Sequence, residues 1–143
     1  MGFWDSILGE SKEESNAGQG NKQTPFMVSV SFTPLRLSPH KSNSVDLIVK
    51  VKNISPEPQL VSVDALLPKG VMLGFDKPGI NKGAEKKVGE IKAGETTQVS
   101  IPIWANNQTS EGQHTVSVTI YSHYMGYNKV VSYVKKTASL RVA

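Results

Sequence analysis

Apolar residues recur at every second position through most of this chain, and that period decides what it can fold into. "FMVSVSF" sets Phe26, Val28, Val30 and Phe32 against Met27, Ser29 and Ser31. "VDLIVKVKN" sets Val45, Leu47, Val49 and Val51 against Asp46, Lys50 and Lys52, and "LVSVDALL" repeats the pattern through Val61, Val63, Ala65 and Leu67. Successive side chains of an extended strand point to opposite sides, so a period of two describes a half-buried strand; a helix needs a period near 3.6. Segments 96–105, 113–124 and 129–142 read the same way, and 85–91 more weakly, because "EKKVGEI" offers only Val88 and Ile91 to a core.

Prolines at 34, 39, 56, 58, 68 and 78 and the turn sequences "KGAE" and "KAGE" separate these runs. Proline removes a backbone donor and glycine accepts positive φ, so both interrupt strands and make turns. Seven or eight short strands at this spacing predict two packed antiparallel sheets, with a closed barrel as the second architecture. The predicted inward set is Val45, Leu47, Val49, Val51, Val99, Ile101, Ile103, Val116, Val118, Ile120, Leu140 and Val142. Gly94 is assigned to a tight turn, Gly112 to a second, and Asn53 to capping the loop that follows its strand.

Residues 1–25 are organised differently. Over 2–9, Phe3, Trp4, Ile7 and Leu8 fall on one side of a short helix of about two turns, which needs a partner to persist. The polar stretch "ESKEESNAGQGNKQT" that follows reads as a flexible linker. The expected division is a short amphipathic segment with its linker over 1–25 and one β domain over 26–143. "MGFWDSILGE" has neither a basic start nor a continuous apolar run, so it is not read as a signal peptide. No apolar run approaches the roughly 20 residues of a membrane-spanning helix. These features point to a cytoplasmic protein, with cell-surface association as the other placement.

Composition narrows the chemistry. The chain has 143 residues and no Cys, which removes disulfides, thiolate catalysis and thiolate-bound zinc. Its formal charge of +4 comes without a compact arginine cluster, so no specific nucleic-acid partner is expected, and the strand lysines Lys50, Lys52, Lys135 and Lys136 read as solubilising groups. His114 and His123 would lie about 30 Å apart on one extended strand at roughly 3.3 Å per residue, too far to share a metal ion. "ALLPKGVMLGF" lacks the spacing and hydroxyl of a phosphate-binding loop. Asp64, in an even-numbered position, is read as a solvent-facing carboxylate. "NIS" and "NQT" match the glycosylation pattern and are explained by loop polarity alone. No catalytic residue, cofactor or metal site is nominated.

The segment "VKNISPEPQLVSVDALLPKGV", followed by "GEIKAGETTQVSIPIWANNQTSEGQHTVSVTIY", resembles the archaeal and bacterial Ig-like domains of the NEW3 and CARDB type. The shared markers are the strand end "VKN", the Ala-Gly-Glu turn leading into "TTQVSIPI", and the glycine before "QHTVSVTI". The resemblance spans about residues 26–142. It implies an immunoglobulin-like β-sandwich, of a kind found in S-layer-associated and cell-surface proteins and as appended modules of larger enzymes.

An outward face remains. The alternation that buries Val116, Val118 and Ile120 turns Tyr121 and His123 outward, and a hairpin of the last two strands would bring Tyr133 beside them. Trp104, near Asn106 and Asn107, is a separate aromatic candidate. The expected function is non-enzymatic: protein association, with a partner protein or as a homo-oligomer, using Phe3, Trp4, Ile7 and Leu8 as a docking segment and Tyr121, His123 and Tyr133 as a face. Carbohydrate binding at Trp104, or service as an accessory domain of an enzyme system, is the alternative.

Overall fold

The computed structural model describes residues 24–143, and all of their regular structure is β. Nine strands follow in order: β1 (Phe26–Thr33), β2 (Arg36–Leu37), β3 (Asn43–Asn53), β4 (Gln59–Leu66), β5 (Leu73–Gly74), β6 (Gly83–Ile91), β7 (Thr96–Ala105), β8 (Gly112–Tyr124) and β9 (Gly126–Val142). The expected count of seven or eight falls one or two short of the nine described, because β2 and β5, of two residues each, are too short to display a period. The helix expected over 2–9, with Phe3, Trp4, Ile7 and Leu8, lies outside the described residues.

The strands form a four-stranded sheet, β1-β3-β7-β5, and a five-stranded sheet, β2-β9-β8-β4-β6. Every pairing is antiparallel except the short β2–β9 contact. One apolar cluster joins both sheets: Val28, Leu47, Val49 and Ile101 come from the first, and Val63, Val118, Ile120 and Leu140 from the second. The predicted inward residues are buried, with Val99 only half-buried. Burying each such Val, Leu or Ile contributes about 1.5–3 kcal/mol, and the two sheets can obtain it only by facing each other. With β1, β3, β4, β7, β8 and β9 as A, B, C, E, F and G, the central pairings are those of an immunoglobulin-like arrangement. The chain departs from it at the edges, visiting β5 on the first sheet before β6 on the second.

Asn53 closes one end of the sandwich. Its Nδ2 donates to the carbonyls of Glu57 (2.8 Å) and Ile91 (2.9 Å), and its Oδ1 accepts from the Ser55 N–H (2.9 Å) and hydroxyl (2.7 Å). Its backbone bonds Glu95 and Gly94, the latter at φ +78° in the turn before β7. The cap expected of Asn53 is thus a buried tie among β3, β6 and the entry to β7. The start of β1 and the β8–β9 turn lie at this same end.

Candidate interaction face

Register places the outward side chains of the five-stranded sheet in rows. One row runs Lys87–Ser62–Tyr121–Tyr133 from β6 to β9, and the next runs Glu85–Asp64–Thr119–Lys135. A third row is Glu90–Leu60–His123–Val130, and a fourth is Gly83–Leu66–Ser117–Thr137. Tyr121 and Tyr133 are direct cross-strand partners, with ring centroids 6.1 Å apart and planes tilted by 44°. Tyr121 also lies 6.1 Å from the His123 ring. The expectation that these three side chains form one cluster therefore agrees with the geometry.

Irregular pairing after Ser122 shapes the upper end of the face. The segment carrying Tyr127 and Lys129 folds over His123: the Tyr127 ring stands edge-on at 5.1 Å, and the Lys129 carbonyl lies 3.2 Å from Nδ1. A carbonyl can only accept, so Nδ1 carries the proton, and in the neutral ring Nε2 accepts the Ser62 hydroxyl at 2.7 Å. A serine hydroxyl against a histidine oriented by a carbonyl has the form of an activated nucleophile. Ser62 is only 2% exposed, however, and in this structure the pair is a buried tie between β4 and β8. His123 is accordingly a support beneath the face and not part of its surface. Tyr127 is expected near this end of the surface; the residues that sequence reasoning missed here are Ser62 and Lys87, whose Nζ sits 5.3 Å from the Tyr127 ring centroid.

Asp64 also departs from expectation. It does face outward, but it is half-buried, and its Oδ1 is covered without a hydrogen-bond partner among the described residues. Burial raises its pKa, Glu85 across the β4–β6 pair raises it further, and His123 opposes them. Burial likewise raises the Tyr121 phenol, with Asp64, Tyr133 and Glu85 adding to the effect. The β6–β4 side of the face carries Asp64, Glu85 and Glu90 against Lys87, whereas the β9 side carries Lys135 and Arg141 on its outward positions. Exposed apolar surface accompanies these charges, from Leu66 on β4 and from Val130, Val131 and Tyr133 on β9, and continues at the β8–β9 turn with Tyr124 and Met125.

Trp104 lies elsewhere. It projects from β7 on the outer side of the four-stranded sheet, with the Lys77 ammonium 5.9 Å from its ring centroid. The neighbouring Asn106 Oδ1 is engaged in its own loop by the Gln108 N–H at 2.8 Å. Among the described residues, no helix is long and apolar enough to cross a membrane.

No protein-family model matches this chain, and no curated protein does. Solved structures do resemble it. Over 84% of this chain it superposes on 98% of a FixG-related protein from Vibrio parahaemolyticus, with TM-score 0.52 and 12% identity. Over 94% of this chain it matches 7% of E. coli alpha-2-macroglobulin, with TM-score 0.56 and 16% identity. A third match is the Pseudomonas fluorescens alkylpurine DNA glycosylase AlkC, with TM-score 0.52 and 13% identity, over 85% of this chain and 31% of that one. The chain thus spans only a minor part of alpha-2-macroglobulin and of AlkC, and nearly all of the FixG-related protein. At such identities the likeness is one of fold: a diverse set of β-sandwich, Ig-like architectures.

Proposed function

We propose that this chain is a non-catalytic protein-association module, and that its tyrosine face pairs with the same face of a second copy. The observation that carries this reading is the self-complementary pattern of the face. A two-fold axis running along the strands, between β4 and β8, lays the β9 side of one copy over the β6 side of the other. Lys135 then meets Glu85, Tyr133 lies over Lys87, and Tyr121 lies over Ser62 beside the axis. Closed homodimers require a patch that complements itself under such an operation. Tyrosines supply broad amphipathic contact area at small rotamer cost, and the flanking charges set register more than affinity. The resemblance to NEW3 and CARDB domains fits a module of this kind, because it implies structural positions and brings no catalytic group with it.

The test is light scattering behind size exclusion over a wide range of protein concentration, for the full chain and for Tyr133→Asp. Tyr133 is exposed, so this substitution leaves the core intact. The reading predicts a mass rising toward twice that of the single chain, and a loss of that rise in the variant. A single-chain mass at every concentration, or a dimer indifferent to Tyr133→Asp, would refute it.

A further inference from the structure

The opposite side of the molecule has a feature that the tyrosine face does not use. Outward residues at the start of the four-stranded sheet, Met27, Ser29, Lys50, Lys52 and Thr96, line a shallow groove that also touches the edge of the buried Val28. Met27 is an exposed apolar group in its floor, directly paired with Lys52, which in turn is paired with Thr96. Lysine stems cover apolar surface while their ammonium groups stay in water. The groove is therefore apolar at its base and positively charged at its rim. Such a surface fits a peptide that presents apolar side chains and carboxylates together.

The chain itself contains that peptide. Residues 1–23 carry Phe3, Trp4, Ile7 and Leu8 with Asp5, Glu10, Glu13 and Glu14, against only Lys12 and Lys22. This segment is acidic in a protein whose overall formal charge is +4. It also joins the fold beside the groove, because Met27 is the second residue of β1. A polar linker of this length has a root-mean-square span of about 20–25 Å, enough to let the segment turn back onto the sheet. Tethering at that range gives an effective concentration in roughly the millimolar range, so even a weak contact would be occupied. The tyrosine face is the poorer destination, since Asp64, Glu85 and Glu90 offset Lys87, Lys135 and Arg141 there, whereas the groove rim carries lysines alone.

We infer that the groove around Met27, Lys50 and Lys52 is a binding site for an acidic amphipathic peptide, and that this chain's own N-terminal segment occupies it in cis. Trp4 becomes shielded from water in that state, while Glu10, Glu13 and Glu14 lie near the lysine rim.

Acrylamide quenching of Trp4 tests this in the full chain carrying Trp104→Phe, which leaves Trp4 as the only tryptophan. Retention of the parent's circular dichroism and melting temperature establishes that this background is folded. The expected result is a quenching slope several-fold below that of a synthetic peptide of residues 1–14, the same at low and high protein concentration. Met27→Asp, and separately Lys50→Glu with Lys52→Glu, should raise the slope to that of the peptide, whereas Tyr133→Asp should leave it low. All these substitutions are at exposed positions. A slope equal to the peptide's in the parent chain overturns the inference, as does shielding that survives both groove variants. Shielding that grows with protein concentration also overturns it, since the segment would then come from another copy. Because Tyr133→Asp separates the two surfaces, failure here is distinguishable from failure of the proposed dimer.

Discussion

Asn53 shows how much organisation one side chain can impose. Its amide satisfies two carbonyls and accepts two hydrogen bonds while completely buried, so Asn53→Ala leaves the buried Ile91 carbonyl without this donor and also removes the ties to Ser55 and Glu57. Leaving a buried polar group unsatisfied costs about 1–3 kcal/mol. Urea unfolding of Asn53→Ala should show a loss at the upper end of that range, with an unchanged m-value; a loss below about 0.5 kcal/mol would contradict the role assigned to it. Asp64 acts in the opposite sense. Its folded-state pKa lies above the ordinary 3.8, so the folded protein holds that proton more tightly than the unfolded chain does. Below 3.8 the group is neutral in both states and carries no penalty; stability is then lost as pH rises through the folded pKa. Asp64→Asn should therefore melt higher than the parent at neutral pH and converge with it at about pH 3. An advantage that is the same at both pH values would mean that charge is not the cause.

Strands are the scale at which the sequence was most legible. Alternation located β1, β3, β4, β7, β8 and β9 because each places branched or aromatic residues on one face over at least seven positions. It under-read β6, where Gly89 at φ +95° and a register shift against β4 break the period, leaving Val88 and Ile91 three residues apart. It could not see β2 or β5, whose pairing is fixed by the strands they meet and not by their own two residues. The candidate face was legible in part for the same reason: Tyr121 and Tyr133 are outward by parity, but Ser62 meets His123 across 61 positions of sequence, and Tyr127 reaches it through an irregularity that no period announces. Parity also makes a sharp prediction on β8. Val118 is fully buried and Thr115 is exposed on the outward side, so Val118→Asp should abolish the cooperative thermal transition, whereas Thr115→Asp should shift it only slightly. Equal effects would mean that the two faces of the strand have been assigned wrongly.

At the scale of the molecule, the sandwich presents two outer faces of different character. One has tyrosines between an acidic and a basic margin; the other has a lysine-rimmed groove beside the point where the N-terminal segment enters. The core explains why both exist: burying alternate residues of each sheet leaves the other half available, and here that half is patterned. Self-pairing of the tyrosine face is the central claim, and its geometry makes a demand stronger than dimerisation alone. Glu85 of one copy must lie opposite Lys135 of the other, twice per dimer. Sedimentation equilibrium of Glu85→Lys, Lys135→Glu and the double variant tests that pairing most directly. Each single reversal should weaken the dimer on the order of tenfold, and the double reversal should recover most of the loss. A single-chain mass for the unmodified protein, or single reversals that leave the equilibrium unchanged, would contradict the account.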